Sequence, residues 1–212
     1  MITSFANPTI KEIRKLDQKK YRQQSGTYFI EGLRTVGEAV QTRAPIKALV
    51  IAPDLLVSEF GQSLLADPSL QDVERIEVSA EIFEKLANKQ GPQGIGAILK
   101  QSWQDLAAIQ LEQDDLWVAL DAVADPGNLG TIMRTADSVG AKGIILIGNS
   151  TDPFDPAAVK ASMGAIFSLT VANADWPTFR TWQVGQQAHL IGTSDHGAID
   201  YQQIRYQRPL VL

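Results

Sequence analysis

The sequence contains no cysteine, which excludes disulfides, cysteine nucleophiles and thiolate metal centres. Its two histidines, His189 and His196, are too few for an imidazole-built zinc site, so no metal is expected, and Ser-His chemistry is a poor fit. No stretch approaches the ~20 consecutive apolar residues that a membrane span needs. The opening Met1-Ile2-Thr3-Ser4 also lacks the charged-then-apolar pattern of a secretory signal, and a cytoplasmic protein with no membrane partner is expected. Internal repeats and low-complexity tracts are missing too. What remains is a chain of 212 residues, 44% hydrophobic, long enough for one large or two modest domains with real cores.

The net charge of −5 argues on average against a polyanionic partner, but the average conceals an asymmetry. The first 22 residues carry Lys11, Arg14, Lys15, Lys19, Lys20 and Arg22 against only Glu12 and Asp17. From Trp103 onward the basic residues are Arg134, Lys142, Lys160, Arg180, Arg205 and Arg208, among twice as many acidic ones. A basic amino-terminal arm on an acidic body suits a phosphate-bearing partner engaged from one side. A solvated helix face of alternating charge explains the same residues without a partner.

Along the chain, strand-like pieces at Tyr28-Phe29-Ile30, 46–51, Ile76-Glu77-Val78 and 94–99 alternate with helical patterns over 33–43, 59–66 and 80–87. This reads as a small α/β domain with its own core. Residues 101–115, polar and acidic around a few apolar side chains, read as the joint to a second domain. There Leu116-Trp117-Val118-Ala119-Leu120 is short enough for a buried strand, and Gly143-Ile144-Ile145-Leu146-Ile147-Gly148 supplies another. Between them Leu129, Ile132, Met133 and Ala136 recur at helical spacing, with Thr131, Arg134, Thr135 and Ser138 opposite. Pro126 and Gly127 break the chain before this helix, and Asn128 stands where an N-cap is expected. In a parallel sheet a strand–loop–helix of this kind puts Asn128 outside the carboxyl ends of the strands, where ligands bind. Asp155 and Pro156 start a further helix through Met163, 166–171 and 190–193 read as strands, and Pro177 opens a helix between them. Pro209-Leu210-Val211-Leu212 reads as the beginning of one more buried strand, and the sequence is expected to lack a carboxyl-terminal part.

Asp125-Pro126-Gly127-Asn128-Leu129-Gly130 with Arg134 resembles the first motif of the SpoU/TrmH RNA 2'-O-ribose methyltransferases, a family of the trefoil-knotted SPOUT class. The stretch 158–167 (Ala-Val-Lys-Ala-Ser-Met-Gly-Ala-Ile-Phe) is similar to the family segment after the second strand. Asn7-Pro8-Thr9-Ile10-Lys11, Arg14-Lys15-Leu16, Lys20-Tyr21-Arg22, Phe29-Ile30-Glu31-Gly32 and Pro92-Gln93-Gly94 resemble the substrate-binding domain that precedes the catalytic domain in many members. The resemblance covers nearly the whole chain in order.

It implies an α/β architecture: a small RNA-binding domain over residues 1–100, a linker over 101–115, and over 116–212 a parallel-sheet α/β-knot methyltransferase domain, the knot incomplete. It further implies transfer of a methyl group from S-adenosylmethionine to a ribose 2'-hydroxyl of structured RNA, ribosomal before transfer RNA, by a homodimer. Arg134 matches the family arginine assigned to the reacting hydroxyl and adjacent phosphate, and Asn128 the asparagine that orients Arg134 or the ribose. A guanidinium is a poor base because its pKa exceeds ~12, which favours a clamping role for Arg134 and leaves the base role open. Gly192 and Thr193 carry over to the cofactor, and Lys11, Arg14, Lys15, Lys20, Arg22 and Arg34 to RNA. The family's second and third motifs, which carry most of the cofactor pocket, have no counterpart in this sequence. The polypeptide alone is therefore expected to bind S-adenosylmethionine weakly or not at all.

Plainer readings stand beside these. Asn128 as a helix cap and Arg134 as a surface charge need no function. The Gly127–Gly130 spacing is not Gly-x-Gly-x-x-Gly, and no acidic residue stands at the end of the next strand, at Gly148, so dinucleotide binding fits poorly. Asp152 and Asp155 read as a turn and helix start instead of an acid–base pair. Ser162-Met163-Gly164 reads as a helix end, His189 as structural, His196 as loop decoration, and the four tryptophans as core or joint residues. The alternative to an enzyme is a non-catalytic RNA-binding scaffold.

Overall fold

The computed structural model describes residues 1–87, 91–194, 197 and 199–212; His196 lies outside them. Helices α1 (Pro8–Lys15) and α2 (Lys19–Ser25) lead into strand β1 (Thr27–Glu31), followed by α3 (Leu33–Gln41), β2 (Ile46–Ile51), α4 (Glu59–Leu65), β3 (Glu74–Glu77), α5 (Ala80–Leu86) and β4 (Ile95–Lys100). The four strands form one sheet in the order β1-β4-β2-β3, with β4 antiparallel to both neighbours. Alternation sorts its side chains. Ala48 and Val50 pack under α1 and α5 with Ile10, Ile13, Ile82 and Phe83. Leu49 and Ile51 face the opposite way, toward Val36 of α3.

The second sheet is parallel throughout and ordered β5-β8-β7-β6-β10-β9, from β5 (Trp103–Gln104), β6 (Leu116–Asp121), β7 (Gly143–Ile147), β8 (Thr170–Ala174), β9 (His189–Leu190) and β10 (Leu210–Val211). On one face lie α6 (Pro126–Ser138), α7 (Pro156–Ser162) and α8 (Ala165–Ser168) against Ile144, Leu146 and Val171. On the other, α9 (Trp176–Gly185) buries Phe179 and Trp182 against Ile145, Ile147 and Ala172. The first of these cores runs on into the amino-terminal sheet through Tyr28, Ile30 and Leu49, so the two sheets share buried apolar surface. Tyr28 stacks on Phe154 at 4.9 Å between ring centroids, and Phe154 meets Trp103 edge to face at 5.3 Å. Burial pushes the Tyr28 phenol well above its usual range and keeps it neutral.

The fold departs from the sequence-based expectations in three places. Residues 101–115 are not a free joint: Trp103–Gln104 adds an edge strand beside β8, and Leu106 and Ile109 are buried under α9 with Leu111 packed beside them, because these apolar residues of a polar segment find core. The apolar run from Ala165 is a short helix before β8 begins at Thr170. Its three-residue apolar stretch carries no period, and Gly164, at φ 104°, turns it back over α6. The strand read at 190–193 stops at Leu190.

Candidate active site

At the carboxyl end of β6 the chain crosses residues 122–125 and enters α6. Pro126 takes the first helical position, and Asp125 caps, accepting from the Asn128 backbone N–H at 2.6 Å. Asn128 is thus not the N-cap that the sequence suggested. The helix starts three residues earlier, and Asn128 sits in its first turn with an exposed side chain that makes no hydrogen bond among the described residues. The loop before it is fixed: Thr151 N donates to Val123 O at 2.7 Å, and the Ser150 hydroxyl donates to Ile147 O at 2.9 Å.

Arg134 lies six residues further on, about 9 Å along the helix axis and turned by about 120°. It is exposed and has no acidic partner among the described residues. Asn128 therefore does not orient Arg134, contrary to expectation, since six residues do not return a helix to the same face. The neighbouring hydroxyls of Thr131, Thr135 and Ser138 each donate to a carbonyl of their own helix, at 2.9, 3.0 and 2.7 Å. This leaves Arg134 as an uncommitted cation on a polar strip. The opposite side buries Leu129, Met133 and Ala136. There Gly130 lets α6 and α7 touch: a Cβ would collide with Ala158 O and lie 2.7 Å from Ala161 Cβ.

From β6 the chain proceeds to β7 and β8 on one side, while β10 and β9 lie on the other. The order thus reverses between β6 and β10, the place where parallel sheets bind ligands. Gly192 and Thr193, just past β9, are exposed there, and a Cβ on Gly192 would meet nothing within 4 Å. Backbone groups and the Thr193 hydroxyl at this point can line one edge of an adenosine-sized molecule; they do not enclose it. They share the carboxyl edge of the sheet with Asn128, about two strand spacings away, or ~10 Å.

The basic arm divides. Lys11, Arg14 and Lys20 are exposed, and Arg34 lines a cleft of about 450 Å³ between α3 and α7, facing Lys160, which the sequence reading had not singled out. Lys15 is engaged with Glu12 at 2.6 Å, a hydrogen bond that holds its ammonium pKa above the usual lysine value. Arg22 departs from expectation altogether. At 1% exposure it cannot reach RNA. Its Nε donates to Asp152 Oδ2 at 2.8 Å, Nη2 to Asp155 Oδ2 at 3.0 Å, and Nη1 to the carbonyls of Leu16 and Asp17, both at 2.9 Å. The other carboxylate oxygens do the turn and capping work foreseen for them, accepting from Phe154 N and Ala157 N at 3.0 Å. Nothing local in the sequence marks this pairing, which spans 130 residues.

Residues 115–212 match the SpoU rRNA Methylase family, and residues 7–97 match the MRM3-like substrate binding domain. An uncharacterized tRNA/rRNA methyltransferase of Synechocystis is 31% identical over 216 residues, covering 100% of this chain and 76% of that protein. The chain belongs to the SpoU rRNA methylase family. Within that family, the 23S rRNA (uridine(2479)-2'-O)-methyltransferase of Streptomyces viridochromogenes is 29% identical, across 93% of this chain and 70% of its own length. The AdoMet-bound rRNA methyltransferase of Sinorhizobium meliloti superposes with a TM-score of 0.86 at 37% identity, over 99% of this chain and 78% of that one. The resemblance read from Asp125–Gly130 and Arg134 is thus a family relationship, and the chain is a methyltransferase by membership.

Proposed function

We propose that this SpoU-family protein methylates a ribose 2'-hydroxyl in structured ribosomal RNA, acting as a homodimer in the cytoplasm. The observation that carries the reading is Arg134: a free guanidinium on the polar strip of α6, the helix that starts at the carboxyl edge of a parallel sheet, in a chain related to RNA 2'-O-methyltransferases. S-adenosylmethionine, the family's donor, would supply an electrophilic sulfonium methyl when bound. Of the chain's own residues, Gly192 and Thr193 would line one edge for that donor. Arg134 grips the phosphate next to the target ribose in bidentate fashion and stabilises negative charge as it grows on O2'. Asn128 offers its side-chain amide to the ribose from the first turn of α6. Lys11, Arg14, Lys20 and Arg34 supply phosphate contacts.

Transfer of radiolabelled methyl to ribosomal RNA by the native protein from its source cell tests this. Arg134→Ala is expected to lower the rate by orders of magnitude with RNA affinity changed only modestly. Loss of RNA binding without loss of turnover on saturated substrate overturns the assignment. The scaffold alternative has no observation in its favour.

A further inference from the structure

A polar groove of about 310 Å³ lies over the carboxyl ends of β7 and β8, outside the cluster described above. Its walls come from parts of the chain distant in sequence: Lys19 and Gln23 of α2, Trp103 of β5, Asn149 in the loop after β7, and Asn173 of β8. The volume falls at the low end of the ~300–1,000 Å³ range of small-ligand sites.

The chemistry of the lining is specific. The ring of Trp103 is 38% exposed, held by its edge-to-face contact with buried Phe154 and by a hydrogen bond from its Nε1 to Gln101 Oε1 at 3.2 Å. It is a rigid aromatic surface left half open at the groove. The side-chain amides of Gln23, Asn149 and Asn173 make no hydrogen bond among the described residues, and each carries both donors and acceptors. Lys19 brings a positive charge at the rim, and the one carboxylate in the wall, Asp152, is neutralised by Arg22. An aromatic plane, free amides and a single cation are what an unpaired nucleotide requires: stacking, base-edge hydrogen bonds and a phosphate contact.

Its location fits the same ligand. Thr151, in the groove wall, donates its N–H to Val123 O at 2.7 Å in the loop leading to α6, so groove and candidate active site share one wall. In the sheet β7 and β8 lie one and two strand spacings, about 5–10 Å, from β6, the strand that leads into α6. We infer that this groove takes an unstacked nucleotide of the substrate RNA, a neighbour of the one that is methylated, with its base on Trp103 and its phosphate toward Lys19. The inference rests on the RNA-methylation reading given above and adds a site of substrate recognition to it.

Fluorescence anisotropy with a labelled 23S rRNA transcript and with a short single-stranded oligouridylate, using the whole protein, tests it. Trp103→Ala is expected to weaken binding of both probes by about tenfold, while Trp103→Phe, which keeps a stacking ring, restores most of the loss. Lys19→Ala is expected to lower the salt slope by about one. Asn149→Asp, an exposed position that leaves folding untouched, is expected to weaken binding several-fold and keeps the test valid if Trp103→Ala loosens its packing on Phe154. Wild-type affinity in both Trp103→Ala and Asn149→Asp, with RNA still bound, overturns the groove and leaves the methyltransferase reading standing. Failure of the wild-type protein to bind either probe overturns the RNA reading itself.

Discussion

The Arg22 guanidinium and the Asp152 carboxylate, 2.8 Å apart and almost wholly buried at 1% and 6% exposure, tie the second helix of the chain to the loop behind the candidate active site. Asp155 joins them from the start of α7 at 3.0 Å. Four hydrogen bonds hold the guanidinium, from Nε to Asp152, from Nη2 to Asp155 and two from Nη1 to carbonyls, and Nη2 also lies 2.8 Å from Asp152 Oδ2. A buried pair so fully satisfied fixes geometry more than it adds net stability, but removing one member leaves the other charged and unsolvated.

Arg22→Ala is therefore expected to destabilise the protein by about 3–5 kcal/mol, read as a lowered urea midpoint. A change below about 1 kcal/mol, the worth of a surface ion pair, shows instead that the carboxylates regain water and that the pair does not hold the two sheets together.

Gly130→Ala forces α6 away from α7, since a Cβ there overlaps Ala158 O and approaches Ser162 N to 2.9 Å. The expected cost is about 1–3 kcal/mol, visible in thermal denaturation, with the added consequence that Asn128 and Arg134 shift relative to the sheet edge. Unchanged stability means the helices separate freely at this contact.

Arg134→Lys keeps the charge and removes the planar fork. Methyl transfer is expected to fall most of the way to the Arg134→Ala level while the melting temperature stays the same, because Arg134 is exposed and has no partner among the described residues. Full activity in the lysine variant reduces the requirement to a point charge.

Asp175 caps α9, and its carboxyl pKa is held below the usual 3.8 by hydrogen bonds from the Thr178 side chain and backbone. A depressed carboxylate stabilises the fold above its unfolded pKa and loses that contribution as pH falls through the folded one. The wild-type protein and Asp175→Ala are thus expected to differ in stability at pH 6 and to converge below about pH 3.8. A difference that persists at pH 2 assigns the effect to packing and not to the charge.

Much of the fold was legible locally. The apolar strand run 143–148, the helical spacing of Leu129, Met133 and Ala136, and the Asp155-Pro156 helix start are short-range patterns, and the structure follows them. Reading failed where a short segment carries no period of its own, as at Ala165–Ser168, or where a distant partner decides, as at Trp103 and Leu106. The Asn128 cap was misplaced by three residues because Asp125 and Asn128 are both good caps, and only the position of Pro126 in the first turn chooses between them.

The sequence by itself determined the two α/β halves, the strand–loop–helix carrying Asn128 and Arg134, and the family, because each depends on residues within about one element of each other or on an ordered motif. Tertiary structure alone decided that Arg22 is an internal tie and not an RNA contact, and that Lys19, Trp103, Asn149 and Asn173 meet in one groove. These depend on which charges find each other across 130 residues and on how a helix, two strands and a loop pack, and burial and pairing at that range leave no local periodicity to read.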